Sequence, residues 1–175
     1  MRAERLTAAH WLELRRMDEN EPFMALLGGV RDEAGTATYL EENLKHWADY
    51  GFGIWILRDT ATTAVIGRAI LRHLDVEGVD EVEIGYGFMP EHWGRGLATE
   101  IARACVRIGH DEFGLRSLVA ITTPINLASQ RVMLKAGLVY ERDIIHAGVS
   151  HLLFRRDAHS AGPSPRPPAT SDPRP

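Results

Sequence analysis

The sequence is poor in the residues that several common chemistries need. It holds one cysteine, Cys105, among 175 residues, so no disulfide can close within the chain. That usage suits a reducing compartment, and the cytoplasm is the expected location. The eight histidines show no His-x-x-x-His spacing, and no metal site is expected. No Lys/Arg block occurs and the net charge is -4, which argues against nucleic acid as a partner. No apolar run approaches the ~20 residues of a membrane span. The opening Met-Arg-Ala-Glu-Arg-Leu has no signal-peptide core, so no membrane association is expected. A Gly-x-Ser-x-Gly turn, a P-loop lysine pattern and internal repeats are also missing.

What remains is an ordinary globular composition, 45% hydrophobic and 25% charged, of a length that fits one domain. Residues 158–175 differ, with six prolines and few apolar side chains, and are read as a disordered tail. The folded domain is therefore expected to span residues 1–157.

Along that domain, residues 2–6 suit a short strand. Thr7 suits an N-cap for a helix carrying Trp11, Leu12, Leu14 and Met17. Pro22 is read as a break, followed by a helical turn ending at Gly28-Gly29. A second helix is predicted to start near Thr36 or Thr38 and to stop at Gly51. Residues 52–58, 64–74 and 81–88 read as three strands joined by short polar turns, an antiparallel meander. A helix over 97–113 and a strand over 115–122 follow. This strand–helix–strand unit makes 81–88 and 117–122 parallel neighbours. A helix over 126–136 and two strands, 138–145 and 149–155, complete the domain. Cys105 recurs at helical spacing with Ile101, Ala104 and Ile108, which marks it as core.

Two stretches point to chemistry. Gly94-Arg95-Gly96 stands between a strand and a helix, where glycines let backbone approach a ligand and unpaired helix amides favour an anion. Such a turn seats a phosphate or pyrophosphate; a tight packing turn would use the same glycines. Upstream, strand alternation puts Glu81, Glu83, Gly85 and Gly87 on one face and Val82, Ile84, Tyr86 and Phe88 on the other. The second set reads as core. The first suits a cleft for an extended ligand with a carboxylate at its inner edge, or a solvated face. Asn126 and Ser129 open a helix just past the C-terminal end of a strand, where α/β folds place ligands. Asn126 also fits a plain N-cap.

The order of elements and these motifs resemble the GNAT superfamily of acetyl-CoA-dependent N-acetyltransferases, closest to its Rim-type branch of ribosomal-protein N-terminal acetyltransferases. The marks are Glu83-Ile84-Gly85-Tyr86, then Trp93-Gly94-Arg95-Gly96-Leu97-Ala98-Thr99-Glu100, then Asn126-x-x-Ser129 and Lys135-Ala136-Gly137-Leu138. The resemblance implies an α/β (α+β) fold. Its mixed, mostly antiparallel sheet has about seven strands, with a central parallel pair splayed at the cofactor site and about four flanking helices. It implies acetyl-CoA as acyl donor, without a metal. Backbone amides from Gly94 through Arg95, Gly96, Leu97 and Ala98 to Thr99 would bind its pyrophosphate, with Arg95 near the phosphates and Trp93 in the same cofactor-binding turn, and Phe88 and Met89 would hold its pantetheine arm. Asn126 would lie beside it. Glu83 would act as general base and Ser129 would support the thiolate, because Met133 stands where many members place an acidic tyrosine.

The implied acceptor is a peptide or small-molecule amine, with the chain a monomer or homodimer. Deprotonating a lysine amine at pH 7 costs ~4.6 kcal/mol, an α-amine only ~1 kcal/mol. One carboxylate base therefore suits the α-amine of a protein N-terminus better, with polyamine or aminoglycoside as alternatives. Trp47, Tyr50, Tyr140, Glu141 and His146 are candidates to line the acceptor side, with core packing the first reading of Trp47 and surface exposure that of Glu141. A non-catalytic acyl-CoA-binding module is the other class this pattern admits.

Overall fold

A computed structural model describes residues 1–158. Seven strands form one sheet in the order β1-β2-β3-β4-β5-β7-β6. They are β1 (Arg2–Arg5), β2 (Ile54–Arg58), β3 (Val65–Val76), β4 (Val79–Phe88), β5 (Ser117–Thr122), β6 (Val139–His146) and β7 (Val149–Asp157). The helices are α1 (Trp11–Asp18), α2 (Glu21–Met24), α3 (Glu33–Tyr50), α4 (Leu97–Asp111) and α5 (Leu127–Lys135). Every strand pair is antiparallel except β4 with β5, whose parallel register is one aligned pair, Glu83 opposite Val119. The expected meander and parallel neighbours are therefore present. The tail read over residues 158–175 lies, after its first residue, outside the described residues.

Helices cover both faces. On the back, Ile101, Ala102, Cys105 and Val106 of α4 and Met133 of α5 pack against Val82, Ile84, Phe88, Leu118 and Ala120. On the front, Leu14, Met17, Phe23, Met24, Tyr39, Leu40 and Trp47 pack against Ile54, Ile56 and Ile70. The front layer also holds a buried ion pair. Asp18 and Arg68, 0% and 1% exposed, meet at 2.7 Å. Arg31 reaches the same carboxylate at 3.0 Å, and the Thr36 hydroxyl donates to it at 3.2 Å. The Arg68 guanidinium lies over the rings of Phe23 and Tyr39. One carboxylate of α1 thus ties α3 and the loop before it to β3.

Local chemistry corrects two boundaries. Pro22 does not break structure; it stands in the first turn of α2, where its missing N–H costs nothing. Asn20 caps that helix, accepting from Phe23 N–H at 2.9 Å. The second long helix starts at Glu33, three residues before Thr36, because the Asp32 side chain accepts from Gly35 N–H at 2.7 Å. It ends as expected at Gly51, whose φ is +75°.

Candidate active site

The strand-to-helix turn has an open backbone. After β4 a short 3-10 turn (Pro90–His92) leads through Trp93 to Gly94 and Gly96, with φ of +72° and +77°. A Cβ at either glycine would meet nothing within 4 Å, so it is backbone conformation that requires them here. Thr99 N–H and Glu100 N–H donate to Gly96 O at 3.0 and 3.1 Å. Among the described residues, the amides of residues 94–98 donate to no backbone carbonyl. These amides and the positive end of the α4 dipole fit a pyrophosphate, and so the coenzyme that the sequence implies. Arg95 is exposed beside them, held by a 2.9 Å hydrogen bond from Nη1 to His92 Nδ1.

Trp93 fixes this turn to the sheet. Its indole N–H donates to Phe88 O at 2.6 Å, while the ring stays 55% exposed. Met89 N–H donates to Ile66 O at 2.9 Å, and Met89 O accepts from His92 N–H at 2.8 Å. The strand-like bonds expected of Met89 therefore find its N–H already paired, and its side chain packs in the front core. Backbone groups alternate direction along a strand, so Phe88 N–H points the other way, toward β5. Phe88 N–H is the strand amide aimed into the opening between β4 and β5.

Glu83 and Tyr86 lie on opposite faces of β4, ~10 Å apart along the strand. Glu83 is on the front, opposite Arg72 of β3, and Arg72 Nε stands 3.4 Å from its carboxylate. Burial pulls the Arg72 guanidinium down, but Glu83, Tyr39 and Glu42 outweigh it and hold its pKa above the ordinary value. Arg72 thus stays charged beside Glu83. On the back, the Tyr86 hydroxyl is 3.1 Å from Ser129 Oγ and 3.3 Å from Ser129 O. Burial pushes the Tyr86 phenol up to about 12, against a smaller opposing effect of Ser129. Asn126 caps α5, its Oδ1 accepting from Ser129 N–H at 3.1 Å, which fixes Ser129 in the first turn. Met133, one turn further on, is 2% exposed in the back core. Cys105 is inert core, its thiol pushed up to about 12 by burial.

The cleft expectation needs correction, and the acceptor-side candidates have specific partners. The space above Gly85 and Gly87 is not an open cleft: Ile70 covers the first, Phe23 and Leu27 the second. Trp47 is 8% exposed and donates its indole N–H to Ile54 O at 2.9 Å, so it is core. Tyr50 packs tilted against His73 with ring centroids 4.2 Å apart, in an aromatic cluster with Phe52 that reaches Phe113 at the far end of α4 from the turn. Tyr140 donates to Asp143, Glu141 pairs with Arg155, and His146 packs edge-on against His151. Two features escaped the sequence. One is the Tyr86–Ser129 contact; the other is the buried Thr123 hydroxyl just past β5, without a partner among the described residues. A polar residue ending a strand beside the helix start was the available signal.

Concavities of about 520 and 490 Å³ flank Trp11, one against Arg15, Glu19 and Glu33, the other against Leu40 and Leu44. Neither includes a residue of the turn, which is an open rim of amides. Among the described residues no three His, Cys, Asp or Glu are placed to hold a metal ion, and no helix is long and apolar enough to cross a membrane.

The sequence profile described as "Acetyltransferase (GNAT) domain" matches residues 2–139. The chain belongs to the GNAT acetyltransferase family. A Bacillus subtilis relative, the uncharacterized protein YkkB, is 34% identical over 126 residues, 71% of this chain and 73% of its own length. An Aspergillus fumigatus relative, FsC-acetyl coenzyme A-N(2)-transacetylase, is 33% identical over 96 residues, 51% of this chain but 40% of that protein. The crystal structure of an acetyltransferase from Agrobacterium tumefaciens superposes with a TM-score of 0.77 at 24% identity, covering 88% of each chain. The GNAT fold thus explains the strand order and the single parallel pair between β4 and β5.

Proposed function

We propose that the chain is an acetyl-CoA-dependent N-acetyltransferase of the Rim-type branch, with the α-amine of a protein N-terminus as acceptor. The observation that carries this reading is the run of unpaired amides at residues 94–98, opening beside splayed strands with Glu83 on one face and Ser129 on the other. The catalytic domain is residues 1–157, working in the cytoplasm as a monomer or homodimer.

Acetyl-CoA supplies an activated acyl carbon and a thiolate leaving group. Amides of residues 94–98, with Arg95 alongside, hold its phosphates. Trp93 keeps the turn seated on β4, and Leu97, Ala98 and Thr99 form the helix start that carries the dipole. Asn126 holds Ser129 in place. Phe88 N–H donates to the carbonyl oxygen as charge develops there. Glu83 takes the amine proton, directly or through water, as the N–C bond forms. The C–S bond breaks, its electron pair goes to sulfur, and Ser129 donates a hydrogen bond to that sulfur.

Fold likeness leaves the acceptor open. Ribosomal-protein-S5-alanine acetyltransferase from Vibrio fischeri, an aminoglycoside acetyltransferase and Vibrio cholerae spermidine N-acetyltransferase superpose with TM-scores of 0.73, 0.74 and 0.68, at 16%, 17% and 15% identity. The α-amine is favoured by the deprotonation cost, ~1 kcal/mol against ~4.6 kcal/mol for a lysine amine. A second reading, a non-catalytic acyl-CoA-binding module, draws on the burial of Met133, which provides no acid. Coenzyme A release with acetyl-CoA and a panel of free-N-terminus peptides, spermidine and an aminoglycoside tests all three. The expected result is turnover with peptides, lost on blocking the α-amine and reduced ~100-fold in Glu83→Gln. Binding of acetyl-CoA without release across the panel would favour the module.

A further inference from the structure

We infer that Tyr86 is the positioning residue of the thiol site, turning the Ser129 hydroxyl toward the coenzyme sulfur so that a relay of two hydrogen bonds replaces a proton-donating acid. This rests on the acetyl-CoA reading above and goes beyond it in assigning Tyr86.

The geometry offers Tyr86 two acceptors on one residue, Ser129 Oγ at 3.1 Å and Ser129 O at 3.3 Å. A phenol has one proton to give. When it goes to the backbone oxygen, Ser129 spends its own proton on the phenol oxygen. When it goes to Ser129 Oγ, the Ser129 proton is free to point elsewhere. Negative charge building on sulfur selects the second arrangement, and each hydrogen bond polarises the next. The Asn126 cap fixes the Ser129 backbone from below, which keeps its hydroxyl within reach of Tyr86. Tyr86 itself is packed against the back core.

A magnitude separates this role from acid catalysis. Burial holds the Tyr86 phenol up to about 12. A thiol titrates near ~8.5, so a proton passing from Tyr86 to the thiolate would move uphill by ~3 to 4 units. Tyr86 therefore keeps its proton and acts as a donor. Its ionisable neighbour Cys105 is likewise held protonated by burial. Met133, at the position where the resemblance expects an acid, is sealed in the same core.

The test reads the coenzyme A thiol bound to the full chain, by ultraviolet absorbance of the thiolate across pH. Binding of desulfo-coenzyme A is measured in parallel. In the wild type the bound thiol should titrate below its free value. Tyr86→Phe should raise it by about half to one unit, three- to tenfold in the thiol–thiolate ratio. Ser129→Ala should raise it at least as far, and the double variant no further, since the two act as one chain. Ser129→Thr, which keeps the hydroxyl, should preserve the lowered value. Desulfo-coenzyme A should bind all four variants as it binds the wild type, which also reports that they fold. An unshifted thiol in Tyr86→Phe, or full additivity with Ser129→Ala, overturns the proposal alone. A wild type that binds neither coenzyme A nor its desulfo form overturns the acetyl-CoA reading and this proposal with it.

Discussion

The indole N–H of Trp93 donates to the backbone carbonyl of Phe88 at 2.6 Å, so a half-exposed side chain of the turn is anchored on the last residue of the strand before it. This bond sets where the free amides sit relative to the opening between β4 and β5. Trp93→Phe removes the donor and little else. Coenzyme A affinity should fall about five- to tenfold, the worth of one hydrogen bond at ~1 kcal/mol. Titration calorimetry checks the affinity, and the melting temperature should hardly move.

Gly96→Ala tests the backbone of the same turn. Its φ of +77° is the left-handed region, which costs a residue with a Cβ ~1–2 kcal/mol. Since no atom lies within 4 Å of the added methyl, the loss in urea unfolding should stay in that range. A larger loss would mean that Gly96 does more than permit the turn.

Asp18→Asn should be far more damaging. It leaves Arg68, 1% exposed, without its counter-charge in the front core. Breaking one side of a buried pair typically costs ~3–5 kcal/mol. An apolar swap of the buried pair, Asp18→Leu with Arg68→Met, should recover part of that loss, the rest staying with Arg31 and Thr36, which also lose their contact with Asp18. Chemical denaturation of the two variants side by side measures the difference.

Stability should also fall with acid through His46. Its Nδ1 is 2.8 Å from Phe52 O, and His73 N–H donates to its Nε2 at 3.0 Å. One nitrogen must donate and the other accept, which only the neutral ring does. Burial lowers its pKa below 6.5, helped by His73 and Arg72 and opposed by the Phe52 carbonyl. The folded state therefore prefers the neutral form. Its contribution is full above about 6.5, the ordinary value, and is lost as pH falls through the lower folded value. Thermal melts of wild type and His46→Gln between pH 7 and pH 5 (roughly the range spanning the ordinary histidine value) should converge as pH falls.

Much of this was readable from local pattern. The period-two alternation of β4 separated Glu83 from Tyr86, and Gly51 marked the end of α3. The missed helix start was also local: Asp32 three residues before Gly35 is a capping signal, masked by two later threonines. Other features were not local at all. Phe23 and Leu27 fill the space over Gly87 from some sixty residues upstream, and the fold alone brings them there. The Tyr86 hydroxyl meets Ser129 across 43 residues of chain, a contact that alternation cannot express, since it assigns a face and not a partner. Trp47 and Tyr50 share the helix α3, yet the indole of one is buried against Ile54 while the ring of the other packs with Phe52 and His73.

Because β4 presents Glu83 to the helices α1–α3 and Tyr86 to α4 and α5, a single strand keeps the two on separate sides of the sheet. Whatever enters on one side need not displace what sits on the other. On the acetyltransferase reading proposed above, both reactants reside at once, and initial-velocity kinetics should be sequential, through a ternary complex. A compound lodged against the front layer would then block the amine while leaving coenzyme A free to come and go. Inhibitors of the two sides should accordingly bind together, each with an affinity unchanged by the other.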